Sequence, residues 1–423
     1  MLRTPTSSPW ALCFFVFSLE FRTLYLDYAL QSVFINPYFM RLGCSSLHVA
    51  FIWLVPVYGL FGIYPASNKA FEANRMKCLV YSLCGVMVAG IGIFVFSGGI
   101  AEWYFGESVE KGWKVRSVAV AAGLLGFALM GVSHSGLCCL LSQVTQSQLL
   151  LGSGCLGRIG GFFVASCNIF EKYSLYLYYA VGDNMTFSYL LSGVFFLLGA
   201  FAGVPSIPEF KEPLGNPLKS LKLFKRAPKK IWVLSAGYFF CIGSNVLISL
   251  YASSWVTFSL LGTSSLSFDR HVFDVGVSWG AFSLLLMGII TLTSILLIYK
   301  LKEDKLIPSS YFLGISNLLC SVLLVPTFFV EDFRSVFVLI PLCGFAIGSN
   351  CVLPYELMNS FKNSDKSTPW NHLLQVSLFF AQMLVLGVFP CALLMWPEQD
   401  DNKFGLLTAG ISSFIGSLFC FFL

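Results

Sequence analysis

Long unbroken stretches of apolar residues, separated by short polar breaks, dominate the chain. A helix rising about 1.5 Å per residue needs roughly 20 apolar residues to cross a ~30 Å hydrocarbon layer. By that measure the pattern predicts twelve spans, near 18–41, 46–66, 77–100, 117–141, 148–170, 186–205, 231–260, 274–299, 307–329, 335–358, 370–395 and 405–423. The start of the first is loosely set, because a separate apolar run from Trp10 to Leu19 adjoins it. The runs are continuous and do not alternate, which argues for helices and against barrel strands. The expected fold class is an all-α membrane protein, with twelve transmembrane helices in two six-helix halves.

The polar breaks set the topology. The longest, 206–230, divides the spans six and six, giving halves 1–205 and 231–423. Its run Lys219-Ser220-Leu221-Lys222-Leu223-Phe224-Lys225-Arg226 is basic and mildly amphipathic, suited to anionic headgroups on the cytosolic face. With the N-terminus inside, the cytosolic segments carry sixteen Lys and Arg, seven of them in 206–230, and the opposite loops carry eight. Acidic residues lean outward: Glu102, Glu107, Glu110, Asp183, Glu331, Asp332, Asp400 and Asp401. The cationic bias predicts both termini and 206–230 in the cytosol. Asn184-Met185-Thr186 is an N-glycosylation sequon on a predicted outer loop.

Composition agrees. Of 423 residues, 57% are hydrophobic and 11% charged, with 43 Phe, against roughly 25% charged in soluble domains. So few charges leave most of the surface to lipid. The net charge of +5 adds little beyond its distribution. Fourteen Cys are scattered, as at Cys13, Cys84, Cys155, Cys241, Cys320 and Cys420, with no CxxC pair; they read as small buried apolar residues. Glu20 and Arg22 follow the first apolar run where a signal peptide would carry a small-residue cleavage site. No metal-ligand spacing, phosphate loop or nucleophile–base pair occurs, so no enzyme, cofactor, metal or nucleic-acid partner is expected.

Short patches narrow the class. Tyr28-Ala29, then Pro37 and Leu42-Gly43, resembles the first helix of sucrose/proton symporters and their animal relatives. Phe51-Ile52-Trp53-Leu54 with Pro56 and Gly59 resembles their second helix, and Gly276-Val277, Gly280-Ala281-Phe282 and Leu284-Leu285-Leu286 after Asp274 their eighth. Pro354-Tyr355 is similar to the tenth helix of the animal members, and Gln375 with Gln382-Met383 to the eleventh. The resemblance, like the two-halves layout with its basic linker, implies a major facilitator fold. It also implies a small polar solute, a sugar, bound at the midplane between the halves.

The departures bear on coupling. The family's fourth helix carries an Asp, with an Arg near its cytosolic end, serving proton coupling and sugar binding. Here Gly126-Phe127 stands at the matching start and Gly131 near the Asp position; no acid occurs between Glu110 and Glu171, and no cation between Arg116 and Arg158. Ser278-Trp279 replaces the Arg-Glu pair of the plant eighth helix, and the facilitator signature after the second helix is reduced to Ser67-Asn68-Lys69 and Arg75. The family's basis for proton symport is therefore missing.

Charges retained at membrane depth are costly, about 2.5–3.5 kcal/mol each on insertion scales, so each is a candidate. Asp27, in the first helix beside Tyr28, could hydrogen-bond sugar hydroxyls or carry a proton. Arg158, within Gly152-Ser153-Gly154-Cys155-Leu156-Gly157-Arg158-Ile159-Gly160-Gly161, could bind an anionic or polyol solute, or pair with Asp27 or Glu356. Structural pairing or snorkelling is the plainer account of Arg158, and a solvated inner-end position that of Glu356. His134, in mid-helix, could titrate near neutrality, although a lone His is more often a packing residue. Tyr355, Gln375 and Gln382 complete the set. The expectation is a secondary transporter in the plasma membrane or an organelle membrane, working by alternating access. The alternative is a non-transporting receptor or scaffold on the same fold, which the lost charges favour. An ion channel has little support, since no carbonyl filter or charged ring is visible.

Overall fold

A computed structural model describes residues 9–23, 76–105, 118, 121–126, 128–133, 137, 156–160, 162–163, 185–206, 227–261, 270–303, 308–361, 371–389 and 401–423. Every regular element among them is helical. The longer α-helices are α1 (Pro9–Thr23), α2 (Met76–Phe105), α3 (Met185–Gly203), α4 (Lys229–Ser254), α5 (Arg270–Glu303) and α6 (Ser309–Leu324). Beyond them come α7 (Val336–Leu342), α8 (Gly344–Ser360), α9 (Asn371–Met383) and α10 (Asp401–Phe421). Two π-helical turns continue α4 and α9, at Trp255–Leu260 and Leu384–Val388.

Six of the described segments are long and apolar enough to cross a bilayer: Cys78–Phe96, Lys229–Leu260, Val275–Leu301, Ser309–Phe328, Phe333–Met358 and Asn402–Phe421. The chain is an integral, multi-pass membrane protein. These six coincide with predicted spans, and α3 and α9 fall on two more. The first helix differs from expectation: it begins at Pro9, nine residues before the predicted start at 18. Proline's fixed φ suits the first helical position, where no N–H partner is needed, and the apolar run from Trp10 follows without a break. The second predicted span, 46–66, lies outside the described residues.

Contacts group the chain into two compact units. The first comprises Met1–Gln31, Ile35–Gly161 and Glu171–Leu214; the second comprises Ser32–Phe34, Phe162–Phe170 and Gly215–Leu423.

In the first unit α3 packs on both α1 and α2. Gly199 and Gly203 of α3 face Ser18 and Phe15 of α1 so closely that a Cβ at either would collide with those side chains. Phe14 and Phe17 meet Phe195 edge-on, with ring centroids 5.8 and 6.2 Å apart. A second close crossing joins α2 to the helical residues 121–133. A Cβ on Gly90 would lie 2.8 Å from the Gly126 carbonyl oxygen, and one on Gly126 2.8 Å from that of Gly90. Ser133 donates to the Leu83 carbonyl at 2.5 Å.

The second unit is inside-out relative to a soluble bundle. On α6 the buried residues include Ser316, Asn317 and Ser321, while Tyr311, Ile315, Leu319 and Val322 are exposed. On α10 Gly405, Gly410, Ser413, Gly416 and Ser417 are buried, while Ile411, Phe414 and Leu418 face outward. Lipid is as apolar as leucine, so helix association in a membrane depends on close packing and hydrogen bonds. Small residues supply the packing. Gly276 and Gly280 of α5 lie against Thr257 and Ser253 on the α4 side, where added Cβ atoms would stand 3.0 and 2.9 Å from the opposing Cα atoms. Gly344 and Gly348 of α8 lie against the middle of α5, 2.5 Å from the Met287 oxygen and 2.8 Å from the Thr291 oxygen by the same measure.

Local breaks have identifiable causes. Pro341 lies one residue before the end of α7, and its missing N–H and ring clash explain why the Phe333–Met358 span is not one continuous helix. The Asp332 side chain accepts from the Arg334 backbone N–H at 3.1 Å, capping the turn that opens this span.

Candidate functional site

Four predicted site residues, Asp27, Tyr28, His134 and Asn184, lie outside the described residues. Arg158 is partly buried in helical residues 156–160 of the first unit. The other four belong to the second unit. Tyr355 and Glu356 are neighbours on α8, both partly buried, and Gln382 is partly buried on α9. Gln375 lies on α9 two turns before Gln382. Helices α4, α8 and α9 pack against one another, so the second unit draws the elements carrying Tyr355, Glu356 and Gln382 together.

Tyr355 has a partner that the sequence reading did not name. The Tyr238 hydroxyl on α4 lies 3.4 Å from the Tyr355 hydroxyl, and the rings meet edge-on with centroids 6.1 Å apart. Ser278 and Trp279 are packing residues. Ser278 is buried, and the Trp279 ring meets Phe282, Phe333 and Phe337 with centroids 5.9, 5.9 and 5.3 Å away.

A polar constellation among the described residues was also missed. Asn317 on α6 and Asn350 on α8 form a reciprocal amide pair: Asn317 Nδ2 donates to Asn350 Oδ1 at 2.8 Å, and Asn350 Nδ2 to Asn317 Oδ1 at 3.1 Å. Both side chains have 0% exposure. Asn317 Nδ2 also donates to the Leu313 carbonyl at 2.8 Å. From α10, the Ser413 hydroxyl donates to the Asn317 carbonyl at 2.9 Å. The Ser316 and Ser349 hydroxyls lie 2.5 Å apart, each within bonding reach of a backbone carbonyl of its own helix. Asn350 Nδ2 reaches Asn245 Oδ1 on α4 at 3.5 Å. Contacts run from α4 to α10, α10 to α6, α6 to α8 and α8 to α4, so the amides sit within a ring of four helices.

A signal for this cluster was present: Ser-Asn occurs once in each of three spans, at Ser244-Asn245, Ser316-Asn317 and Ser349-Asn350. A search directed at charges passes over it, because amides are neutral. Chemically the cluster offers fixed dipoles, donors and acceptors without an ionisable group. Among the described residues no grouping of three or more His, Cys, Asp or Glu side chains could hold a metal ion.

No family model matches the sequence, and no curated protein matches it either. Its structure is similar to two crystal structures of a bacterial homologue of the human lysosomal transporter Spinster. The inward-facing, unoccupied form aligns with a TM-score of 0.61 at 12% identity, over 98% of this chain and 97% of that one. The inward-facing, occupied form aligns with a TM-score of 0.59 at 11% identity, over 97% and 95%. The chain therefore shares the fold of that bacterial homologue.

Proposed function

We propose that the chain is a secondary transporter that moves a small polar solute across a membrane by alternating access. The observation that carries this reading is the likeness, over nearly the whole of both chains, to a transporter captured in two inward-facing states. Packing within each unit supports it. Helices locked by glycine contacts and hydrogen bonds behave as blocks, and blocks can rock about a central site.

In this reading the halves are 1–205 and 231–423, and 206–230 is a basic cytosolic linker between them. Both termini face the cytosol, as the distribution of Lys and Arg implies, and Asn184 carries a glycan on the outer side. The solute is a sugar, as the resemblance to sucrose symporters implies. Asp27, Tyr28, Arg158, His134, Tyr355, Glu356, Gln375 and Gln382 are the candidate contacts. Without a carboxylate in the fourth helix, transport runs down the solute gradient.

The test is uptake of radiolabelled sucrose, glucose and a panel of neutral polyols into proteoliposomes. Saturable flux above protein-free vesicles is expected for at least one of them. Flux equal to empty vesicles for every solute would refute transport and leave the receptor or scaffold reading.

A further inference from the structure

Asn245 differs from the other members of the amide cluster in how it is held. Asn317 and Asn350 bond each other at both ends, at 2.8 and 3.1 Å, and neither is reached by solvent. Asn245 is held at one end only, by the 3.5 Å contact from Asn350 Nδ2 to its Oδ1, the longest in the cluster. Among the described residues nothing accepts from its Nδ2. It also retains 7% exposure where its two partners retain none. An amide N–H without a protein acceptor turns to water or to a ligand, because native interiors rarely leave one enclosed. Bonding thus slackens from a closed interior pair to an outer amide with a donor to spare.

The surroundings on α4 continue this polar character. Cys241, Asn245, Ser249, Ser253 and Thr257 follow at every fourth residue, a row that turns about 40° per step around the helix. One end of the row meets Gly416 of α10, and the other meets Gly280 and Gly276 of α5. Asn245 falls between these two seams. Ser249 and Thr257 donate their hydroxyls to α4 carbonyls at 2.9 Å each.

We propose that Asn245 contacts the transported solute, donating from Nδ2 to a hydroxyl or carbonyl oxygen. Asn350, Asn317 and Ser413 form the relay behind it that fixes the direction of its amide. The inference rests on the transport reading above and narrows the solute class. The cluster contains no carboxylate, ammonium or guanidinium, so it suits a neutral, hydroxyl-bearing solute and gives a carboxylate or ammonium no counter-charge. Polar contacts of this kind discriminate well, because an analogue lacking the matching oxygen leaves the amide unpaired again.

The test uses the full-length protein in sealed vesicles of both orientations. Asn245→Cys, Asn317→Cys and Asn350→Cys are treated with a membrane-impermeant methanethiosulfonate, with the wild type reporting labelling of its own 14 cysteines. Labelling at 245 above wild type from at least one side, and none at 317 or 350, is expected. If the inner variants fail to fold, the comparison of 245 with wild type still decides. In transport, Asn245→Ala should raise KM at least tenfold for whichever of sucrose or glucose is carried. Maximal rate and thermal midpoint should be unchanged, and Asn245→Gln should recover part of the affinity. No labelling at 245 from either side, with wild-type flux intact, overturns the proposal. So does an unchanged KM. Labelling of Asn245→Cys, with no wild-type flux of sucrose, glucose or any polyol of the panel, overturns the transport reading and supports a water-reached polar site at 245.

Discussion

Replacing Asn317 with leucine is the most direct probe of the amide cluster. The side chains are similar in size, so little cavity results. The change removes both arms of the bond pair with Asn350, at 2.8 and 3.1 Å, and the weaker 3.4 Å contact from Ser413. Interhelical hydrogen bonds in membrane proteins average about 0.6 kcal/mol and reach about 1.7, so the two arms together contribute about 1–3 kcal/mol. Asn350, fully buried, is left with only its long contact to Asn245. An unsatisfied buried amide costs about 1–3 kcal/mol more. The expected loss is therefore about 2–6 kcal/mol. Asn317→Leu/Asn350→Leu leaves neither member of the pair orphaned, so its loss should fall short of the sum of the single losses by at least about 1 kcal/mol, beyond the usual ~0.5 kcal/mol limit of additivity. Unfolding in mixed micelles by SDS titration, followed by tryptophan fluorescence, measures all three; Trp255, with 0% exposure, is a reporter inside the same unit. Single losses under about 0.5 kcal/mol, or a double variant equal to the sum, would refute the reciprocal pairing.

Three further outcomes are expected. Gly348→Leu should abolish a monodisperse peak in size-exclusion chromatography while Gly348→Ala only weakens it, because even a Cβ there stands 2.8 Å from the Thr291 oxygen and 2.9 Å from Ser294; a normal peak for the leucine variant would mean that α5 and α8 do not cross so closely. On the reading that Arg158 pairs with an acidic side chain, Arg158→Ala should reduce transport at least tenfold or prevent folding, since removing one member of a buried charge pair is destabilising by about 3–5 kcal/mol; normal expression and full flux would show that Arg158 only snorkels. Solute flux into proteoliposomes should change less than twofold on imposing an inward proton gradient; should protons drive accumulation, Asp27→Asn is the variant that must abolish it while leaving exchange intact.

What could be read from the sequence followed from which rules are local. A helix crossing a bilayer needs length and apolarity, both countable, and so 231–260 and 307–329 fall within two residues of Lys229–Leu260 and Ser309–Phe328. The start at Pro9 was the exception, since two adjoining apolar runs competed and hydropathy alone does not choose between them. The site was less legible. Charges stand out in an apolar sequence, which brought Arg158 and Glu356 forward, yet a hydrogen-bonding role belongs equally to neutral amides. Whether Asn317 meets Asn350 or lipid depends on helix rotation, and a motif of two residues does not specify that. Tyr238 illustrates the same limit: its relation to Tyr355 spans 117 positions and exists only once α4 packs on α8.

The amide pair also bears on how the protein is made. A nascent helix entering the bilayer with a lone asparagine exposes an unsatisfied amide to hydrocarbon, and the nearest remedy is a neighbour that has just arrived. Asn317 and Asn350 are 33 residues apart, an interval a ribosome covers in about 2–7 s at ~5–20 residues per second. Ser413 follows 96 residues after Asn317, so α10 is synthesised only after α6 and α8 have had time to meet. The order of emergence thus matches an order of closure: a hydrogen-bonded hairpin forms first, and the last helix seals it from lipid.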